Sequence, residues 1–208
     1  MRGQVEVRCR CGQVRGVVTD PSPRTVNRMV CYCDDCQAYA HQIGRADLLN
    51  DRGGSDSIQI APAALRFTKG QDRIEGLRLT PKGLYRWYAK CCNTPLGNTR
   101  APALPFVSML VQSFDAPQPD DVFGAPRGAT FCKYAVGEPP ADSTKLILLR
   151  LLLGRVLGWR LGGKTWPHPF FARETSAPIY PLAVVSQERR EALRALCGPR
   201  PLGRAGNR

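Results

Sequence analysis

The segment Cys31-Tyr32-Cys33-Asp34-Asp35-Cys36 places three cysteines within six residues. Two further groups flank it along the chain, Cys9-Arg10-Cys11-Gly12 and the vicinal pair Cys91-Cys92. Cysteines one residue apart can turn toward one ion where the chain bends between them, and Gly12 supplies the freedom for that bend. Thiolate groups this dense are typical of tetrahedral zinc sites, and the usual spacings of iron–sulfur clusters are missing.

Counting the sulfur ligands predicts two zinc sites with different roles. Cys31, Cys33 and Cys36 supply three thiolates, so this zinc keeps an open fourth position for water or substrate. Cys36 also lies near the start of a predicted helix, whose dipole favours a thiolate. A closed structural zinc would take four outer thiolates: Cys9, Cys11, Cys91 and Cys92. Because vicinal cysteines share an ion only with a distorted backbone, Cys132 is an alternative outer ligand.

Composition restricts the classes of protein that fit. The chain has 208 residues, enough for one compact domain or a domain with an extension, and nine cysteines. An odd cysteine count and an N-terminus without an apolar stretch argue against a secreted disulfide framework, so we expect a reducing, cytoplasmic setting. The net charge of +13 is spread evenly and favours anionic partners, among them nucleic acid.

The hydropathy pattern predicts a mainly β fold with added α. Residues 1–100 form the predicted zinc-binding β domain, which begins with a hairpin around Cys9-Arg10-Cys11-Gly12. Its helix is expected from Asp34 to Ile43, with Asp34 or Asp35 as the N-cap. The predicted later strands are 58–60, 65–68, 73–80 and 84–90.

Residues 101–198 are predicted to be a C-terminal extension, and residues 199–208 a basic tail. The extension contains a possible strand over 106–114, an apolar helix over Thr144–Leu161 and a final helix over 186–197. The apolar helix is too short and too rich in arginine to span a membrane, and we expect it to be a buried core helix rather than an interfacial membrane helix. The final helix is expected to face inward through Ala192, Leu193 and Leu196.

The order Cys-x-Cys-Gly, then Cys-x-Cys-x-x-Cys, then a cysteine before Thr-Pro-Leu resembles the glutathione-dependent formaldehyde-activating (GFA-like) family, which includes centromere protein V-like domains. The resemblance covers residues 4–100 and implies a β-tent fold with one structural zinc and one more labile zinc. It also implies carbon–sulfur lyase chemistry, the condensation of formaldehyde with glutathione into S-hydroxymethylglutathione. Carried over, the structural ligands would be Cys9, Cys11 and Cys92, and the labile ones Cys31, Cys33 and Cys36.

The chain departs from the pattern of that family at several positions. Ala89 stands where a second cysteine is usual, and Tyr32 stands where histidine is common. Gln37 and Asn93 replace a frequent arginine and a frequent glycine. These departures and the long C-terminal part would mark a bacterial branch of the family, and they leave the identity of the thiol open.

Several other side chains are candidates for the inner site. Tyr32, His41 and Asp35 are the nearest groups for proton transfer. His41 would either reach the open metal position or, as is commoner, lie on the helix surface. The alternating Arg86-Trp87-Tyr88 would recognise an anionic thiol or a base, or simply reflect a half-buried strand. His168 and Cys197 are expected to be packing residues.

Two functions from different classes therefore stay open. The first is a carbon–sulfur lyase that acts on a small thiol adduct such as S-hydroxymethylglutathione. The second is a non-catalytic, zinc-stabilised module that binds nucleic acid or an acidic protein partner. An enzyme requires an open inner site, whereas a module would close it with a fourth protein ligand such as His41.

Overall fold

A computed structural model describes residues 3–199, which form two β-sheets with short helices around them. The predicted mainly β fold with added α is confirmed. The strands of this part of the chain are β1 (Gln4–Arg8), β2 (Arg15–Thr19), β3 (Asn27–Cys31), β4 (Ser55–Ile60), β5 (Leu65–Lys69), β6 (Ile74–Arg78), β7 (Tyr85–Ala89), β8 (Thr94–Thr99), β9 (Val107–Leu110), β10 (Ala129–Thr130) and β11 (Leu182–Val184). The α-helices are α1 (Asp34–Gln42), α2 (Pro119–Phe123), α3 (Thr144–Leu151), α4 (Leu157–Leu161) and α5 (Gln187–Arg194).

The larger sheet has the order β10-β3-β4-β9-β8-β7-β6-β11, and the smaller one has the order β1-β2-β5. Neighbouring strands are antiparallel except for the two outer pairs of the larger sheet, β10 with β3 and β11 with β6. The predicted hairpin is confirmed, since β1 and β2 pair from Gln4 opposite Thr19 to Arg8 opposite Arg15. Its turn carries the first cysteine pair.

Four strands of the larger sheet escaped prediction: β3, β8, β10 and β11. Every residue of β8 is buried, so its sequence shows no alternation of apolar and polar residues, and Pro95 and Gly97 lower its strand propensity further. The strand expected over 106–114 ends at Leu110, where the chain passes into a 3-10 turn.

Segments on both sides of residue 100 build the same sheet and the same core. β9 lies between β4 and β8 in the larger sheet, and β11 extends it beside β6. The ring of Phe170 stacks on that of Trp87 with centroids 4.9 Å apart, and both side chains are fully buried. The division at residue 100 stays a prediction, and the predicted basic tail lies outside the described residues from Arg200 onward.

The apolar helix differs from the expectation in its environment. It runs from Thr144 to Leu161 as α3, a π-helical turn over Leu152–Val156, and α4. The prediction of a buried core helix is wrong, because only Ile147, Leu151 and Trp159 are buried in it. Among the described residues no helix has the length and apolar character needed to cross a bilayer.

The final helix is α5, and Ser186 caps it as its sequence suggests. The Ser186 hydroxyl accepts a hydrogen bond from the backbone N–H of Arg189 at 3.2 Å. Leu193 is fully buried against α1 and β6, as expected. Ala192 and Leu196 are exposed, so two of the three predicted inward contacts are wrong, because α5 rests on the domain along one narrow line.

Replacing Phe170 tests whether the chain folds as one unit. We expect Phe170→Ala to lower the free energy of unfolding by about 3–5 kcal/mol, because it leaves a cavity against Trp87. Urea unfolding followed by far-UV circular dichroism measures the change, and Leu161→Ala, at an 80% exposed position, is the control. A loss below about 1 kcal/mol would show that this segment is not part of the common core.

His168 gives the core a dependence on pH. Its burial lowers the pKa of the imidazole from 6.5 to about 4, while Nδ1 accepts a hydrogen bond from the Phe170 N–H at 3.1 Å. As the pH falls, His168 takes up a proton in the unfolded chain before it does so in the folded one. Its contribution to the free energy of unfolding is therefore full above pH 6.5 and is lost as the pH falls toward 4.

We expect His168→Asn, which keeps an acceptor near Nδ1, to remove this dependence. The gap in unfolding free energy between parent and variant should shrink by up to about 3 kcal/mol between pH 7 and pH 4. Protonation of the cysteines affects both proteins alike and cancels in the difference. A gap that stays constant over this range would contradict the assignment.

Candidate metal centres

The outer cysteine cluster joins the β1–β2 turn to the β7–β8 turn. The sulfur atoms of Cys9, Cys11, Cys91 and Cys92 all lie within 4.8 Å of one another. Cys11 Sγ is 3.3 Å from Cys91 Sγ and 3.5 Å from Cys9 Sγ. Four thiolates around a tetrahedral zinc lie about 3.8 Å apart, since each Zn–S bond is about 2.3 Å. The spacing therefore suits a tetrahedral metal ion.

The backbone at both turns has the conformation that brings the sulfurs together. Gly12 has φ of +72°, which requires glycine in most contexts, and the residue after the vicinal pair, Asn93, has φ of +54°. Asparagine tolerates this left-handed conformation better than other non-glycine residues. This accounts for asparagine at a position where the GFA-like pattern has glycine.

Hydrogen bonds reach two sulfurs of the outer cluster, although burial still raises the pKa of Cys9. The N–H of Val14 donates to Cys9 Sγ at 3.2 Å, and the hydroxyl of Thr94 lies 3.2 Å from Cys92 Sγ. Burial raises the pKa of Cys92, but the contacts with Thr94 and Cys11 outweigh it and lower that pKa to about 6. A low pKa favours metal binding at neutral pH.

The inner cluster forms where β3 ends and α1 begins. The sulfur atoms of Cys31, Cys33 and Cys36 lie within 4.8 Å of one another, with Cys31 buried and the other two partly exposed. Cys33 occupies the N-cap position of α1, which corrects the expected cap at Asp34 or Asp35. Cys36 lies in the first turn, where the helix dipole favours negative charge.

A buried arginine lies directly beside this cluster. Arg86 on β7 is 1% exposed, and its Nη1 is 3.9 Å from Cys36 Sγ. Hydrogen bonds from the Cys31 and Cys33 thiols, together with the Arg86 charge, lower the pKa of Cys36 well below its ordinary value. Burial lowers the pKa of Arg86, but Cys36, Cys33 and Asp35 together outweigh burial and raise that pKa, so the guanidinium stays charged. The expected half-buried strand is in fact buried on both faces.

Arg86, Asn98 and Cys36 line one small cavity of about 10 Å³, room for a single water-sized molecule. Arg86 on β7 and Asn98 on β8 are direct cross-strand partners, so their side chains lie side by side. Arg86 Nη2 and Asn98 Oδ1 are both buried and have no hydrogen-bond partner within residues 3–199. A free buried donor and a free buried acceptor at one cavity would be satisfied together by one small polar molecule, water included.

The predicted proton-transfer groups, Tyr32, Asp35 and His41, do not line the cavity beside Cys36. The Tyr32 hydroxyl accepts a hydrogen bond from the Asn50 amide at 3.3 Å, and its ring packs against Cys132 and Ala135. Asp35 forms an ion pair with Arg194 of α5. His41 lies in the last turn of α1 and does not belong to the three-cysteine group that the described residues form.

The remaining cysteines and Gln37 have structural contacts. Cys132 Sγ contacts the Ala141 carbonyl and Cys197 Sγ contacts the Asp34 carbonyl, both outside the two clusters. Gln37 donates to the carbonyls of Tyr32 and Tyr134, at 2.8 and 3.0 Å. It thus holds the inner cysteine loop against the C-terminal part of the chain.

The sequence pattern did not indicate Asn98. It left two interpretations of Arg86 open, a group that recognises a ligand or part of a half-buried strand. The only signal for Arg86 was a charged residue between apolar neighbours on a strand, which most often marks a solvated face. Asn98 gave no signal, because its role depends on pairing with a strand twelve residues earlier in the chain.

The fold and the two thiolate clusters define a mainly β protein with two candidate metal centres. The chain belongs to a family of unknown function, DUF6151, whose family model matches residues 1–179. Among solved structures, that of a Rhodobacter sphaeroides structural-genomics target is similar, with 16% identity and a TM-score of 0.41, over 60% of this chain and 99% of that one. No curated protein matches the chain. The GFA-like resemblance stays a prediction, as does the β-tent fold.

Metal analysis of single-cysteine variants tests both centres. We expect two metal ions per chain in the parent and one in either Cys33→Ser or Cys11→Ser, because each substitution removes one ligand from one cluster. Inductively coupled plasma mass spectrometry on protein purified without chelator gives the ratio. Cys132→Ser and Cys197→Ser are the matched controls and should keep both ions. One ion in the parent, unaffected by Cys33→Ser, would contradict an inner centre.

Proposed function

We propose that the chain binds two zinc ions and acts at the inner cluster as a carbon–sulfur lyase on a one-carbon adduct of a small anionic thiol, such as S-hydroxymethylglutathione. One observation carries the proposal. Cys36 of the three-cysteine cluster lines one cavity with Arg86 and Asn98, whose buried Nη2 and Oδ1 have no hydrogen-bond partner among the described residues.

Zinc is the ion that suits both sulfur sets, because soft thiolates favour it and no redox partner is required. Four outer sulfurs complete a tetrahedron, so that ion would stabilise the fold by joining the two sheets. Three inner sulfurs leave one position, at which a bound zinc would hold an incoming thiol as its thiolate. The role of the cavity beside Cys36 is then inferred from the residues that line it, Arg86 and Asn98.

A hydroxymethyl group matches the two free polar atoms of the cavity. Its oxygen would accept a hydrogen bond from Arg86 Nη2, and its O–H would donate to Asn98 Oδ1. The cavity has room for about one water-sized molecule. It therefore admits only the hydroxyl end of the adduct, while the carbon and the rest of the thiol would lie outside.

In the cleavage direction the carbon–sulfur bond breaks and its electron pair leaves with the sulfur as a thiolate. The oxygen loses its proton to solvent and forms the C=O bond of formaldehyde. Negative charge develops on this oxygen during the step, and a buried guanidinium at that point stabilises it. In the reverse direction the thiolate attacks formaldehyde, and the resulting alkoxide takes up one proton.

A basic cleft near the cavity favours an anionic thiol. This cleft has a volume of about 280 Å³, is lined by Arg8, Arg10 and Arg45, and shares Leu48 and Pro95 with the cavity beside Cys36. Arg45 forms a two-point ion pair with Asp47, yet its Nη1 is buried without a partner among the described residues. Carboxylates of a peptide-like thiol are suitable partners for these guanidinium groups.

Substituting Arg86 tests the proposal. With glutathione and formaldehyde as substrates, we expect the zinc-loaded protein to accelerate their exchange, as measured by two-dimensional NMR exchange spectroscopy. Arg86→Lys keeps the charge but loses the second donor, so the rate should fall by about 10²–10³-fold while both metal ions remain. Asn98→Leu, in which the buried acceptor is removed, is the second variant.

The controls separate catalysis from folding and from general charge. Arg66→Gln removes an exposed charge on β5 and should leave the exchange rate unchanged. A two-zinc protein that binds glutathione without accelerating exchange would contradict the lyase. Salt-sensitive binding of nucleic acid by such a protein would instead support the non-catalytic module.

A further inference from the structure

The helix from Thr144 to Leu161 carries an apolar face that no other part of residues 3–199 covers. Five leucine side chains on this face are between 48% and 80% exposed. We name them the leucine face: Leu146, Leu149, Leu153, Leu157 and Leu161. Isolated exposed leucines are common, but a row of five along about four turns marks an interaction surface.

The π-helical turn keeps this face in register along the whole helix. In a regular α-helix, Trp159 would lie about 120° away from Ile147, because each residue advances by about 100°. One extra residue in the π turn over Leu152–Val156 brings Trp159 back near the line of Ile147 and Leu151. These three buried residues attach the helix to the domain, so the opposite side presents the leucine face.

The charge of this segment has one sign. Residues 143–173 contain no aspartate or glutamate. The helix itself carries Lys145, Arg150, Arg155 and Arg160, and Lys164 follows it. Arg127 lies nearby, lining one cleft together with Arg150 and Arg155. Cations thus border the row of leucines without any acidic partner on the same helix.

The exposed leucines and the positive charge together restrict which partner would bind the leucine face. A second copy of the chain would bring one cationic helix against another, so like charges would oppose the contact. A nucleic acid would match the charge but not the leucines. The surface of a bilayer with anionic lipids matches both, because leucines enter the boundary with the acyl chains while arginines contact phosphates.

We propose that the leucine face docks the protein on an anionic membrane surface, with the helix lying in the plane of the interface. The helix is too short to span a bilayer and needs no span for this role. The attachment through Ile147, Leu151 and Trp159 leaves the β-sheets and both cysteine clusters outside the lipid.

Vesicle flotation tests the proposal with the full chain, loaded with zinc. Vesicles of phosphatidylcholine with 30 mol% phosphatidylglycerol should bind the protein at least about tenfold more strongly than pure phosphatidylcholine, and added salt should weaken the binding. Leu149→Gln with Leu153→Gln should abolish binding. Arg150→Gln with Arg160→Gln should reduce it by about tenfold or more.

Leu196→Gln is the matched control, since Leu196 is 58% exposed but lies outside this helix. It should bind as the parent does. Circular dichroism and metal content confirm that each variant is folded with both clusters intact, so failure here is distinguishable from failure of the lyase proposal. Absence of vesicle binding would overturn the inference. So would a dimer, detected by sedimentation velocity, that the Leu149/Leu153 variant converts to monomer.

Discussion

The convergence of the outer sulfur atoms is the constraint on which the rest of the structure depends. Cys9 and Cys11 come from the hairpin of the small sheet, and Cys91 and Cys92 come from the β7–β8 turn of the large one. Their four sulfurs meet across about eighty residues of sequence, so a metal ion bound there would join the sheets at one point. The strands β7 and β8 lead into and out of this junction, and they carry Arg86 and Asn98.

At the inner cluster, the same strands β7 and β8 place a charged and a polar side chain beside Cys36. A fully buried guanidinium is costly unless negative charge lies beside it, and the thiolate of Cys36 provides that charge. One of its donors nevertheless stays unpaired, next to an equally unpaired amide oxygen. Buried polar groups normally have partners, so one small polar molecule in the cavity would satisfy both atoms.

The helix over Thr144–Leu161 shows that a leucine-rich composition does not by itself predict burial. A segment rich in leucine is expected to be buried, since that is where most apolar helices of this length lie. Here the domain offers contacts to one side only, and the π turn aligns those contacts in a single row. The remaining leucines stay exposed among the described residues, and the uniform positive charge beside them restricts which partner would suit them.

The sequence by itself determined the inner group of three cysteines, the helix that follows it and, through its hydropathy pattern, the mainly β character of the fold, because these depend on neighbours close along the chain. Only the tertiary structure decided the pairing of β7 with β8, and with it the cavity shared by Arg86, Asn98 and Cys36. It also decided that Tyr32 and Asp35 turn to Asn50 and Arg194, away from the cavity. Such contacts join distant segments, and no local pattern encodes which buried faces will meet.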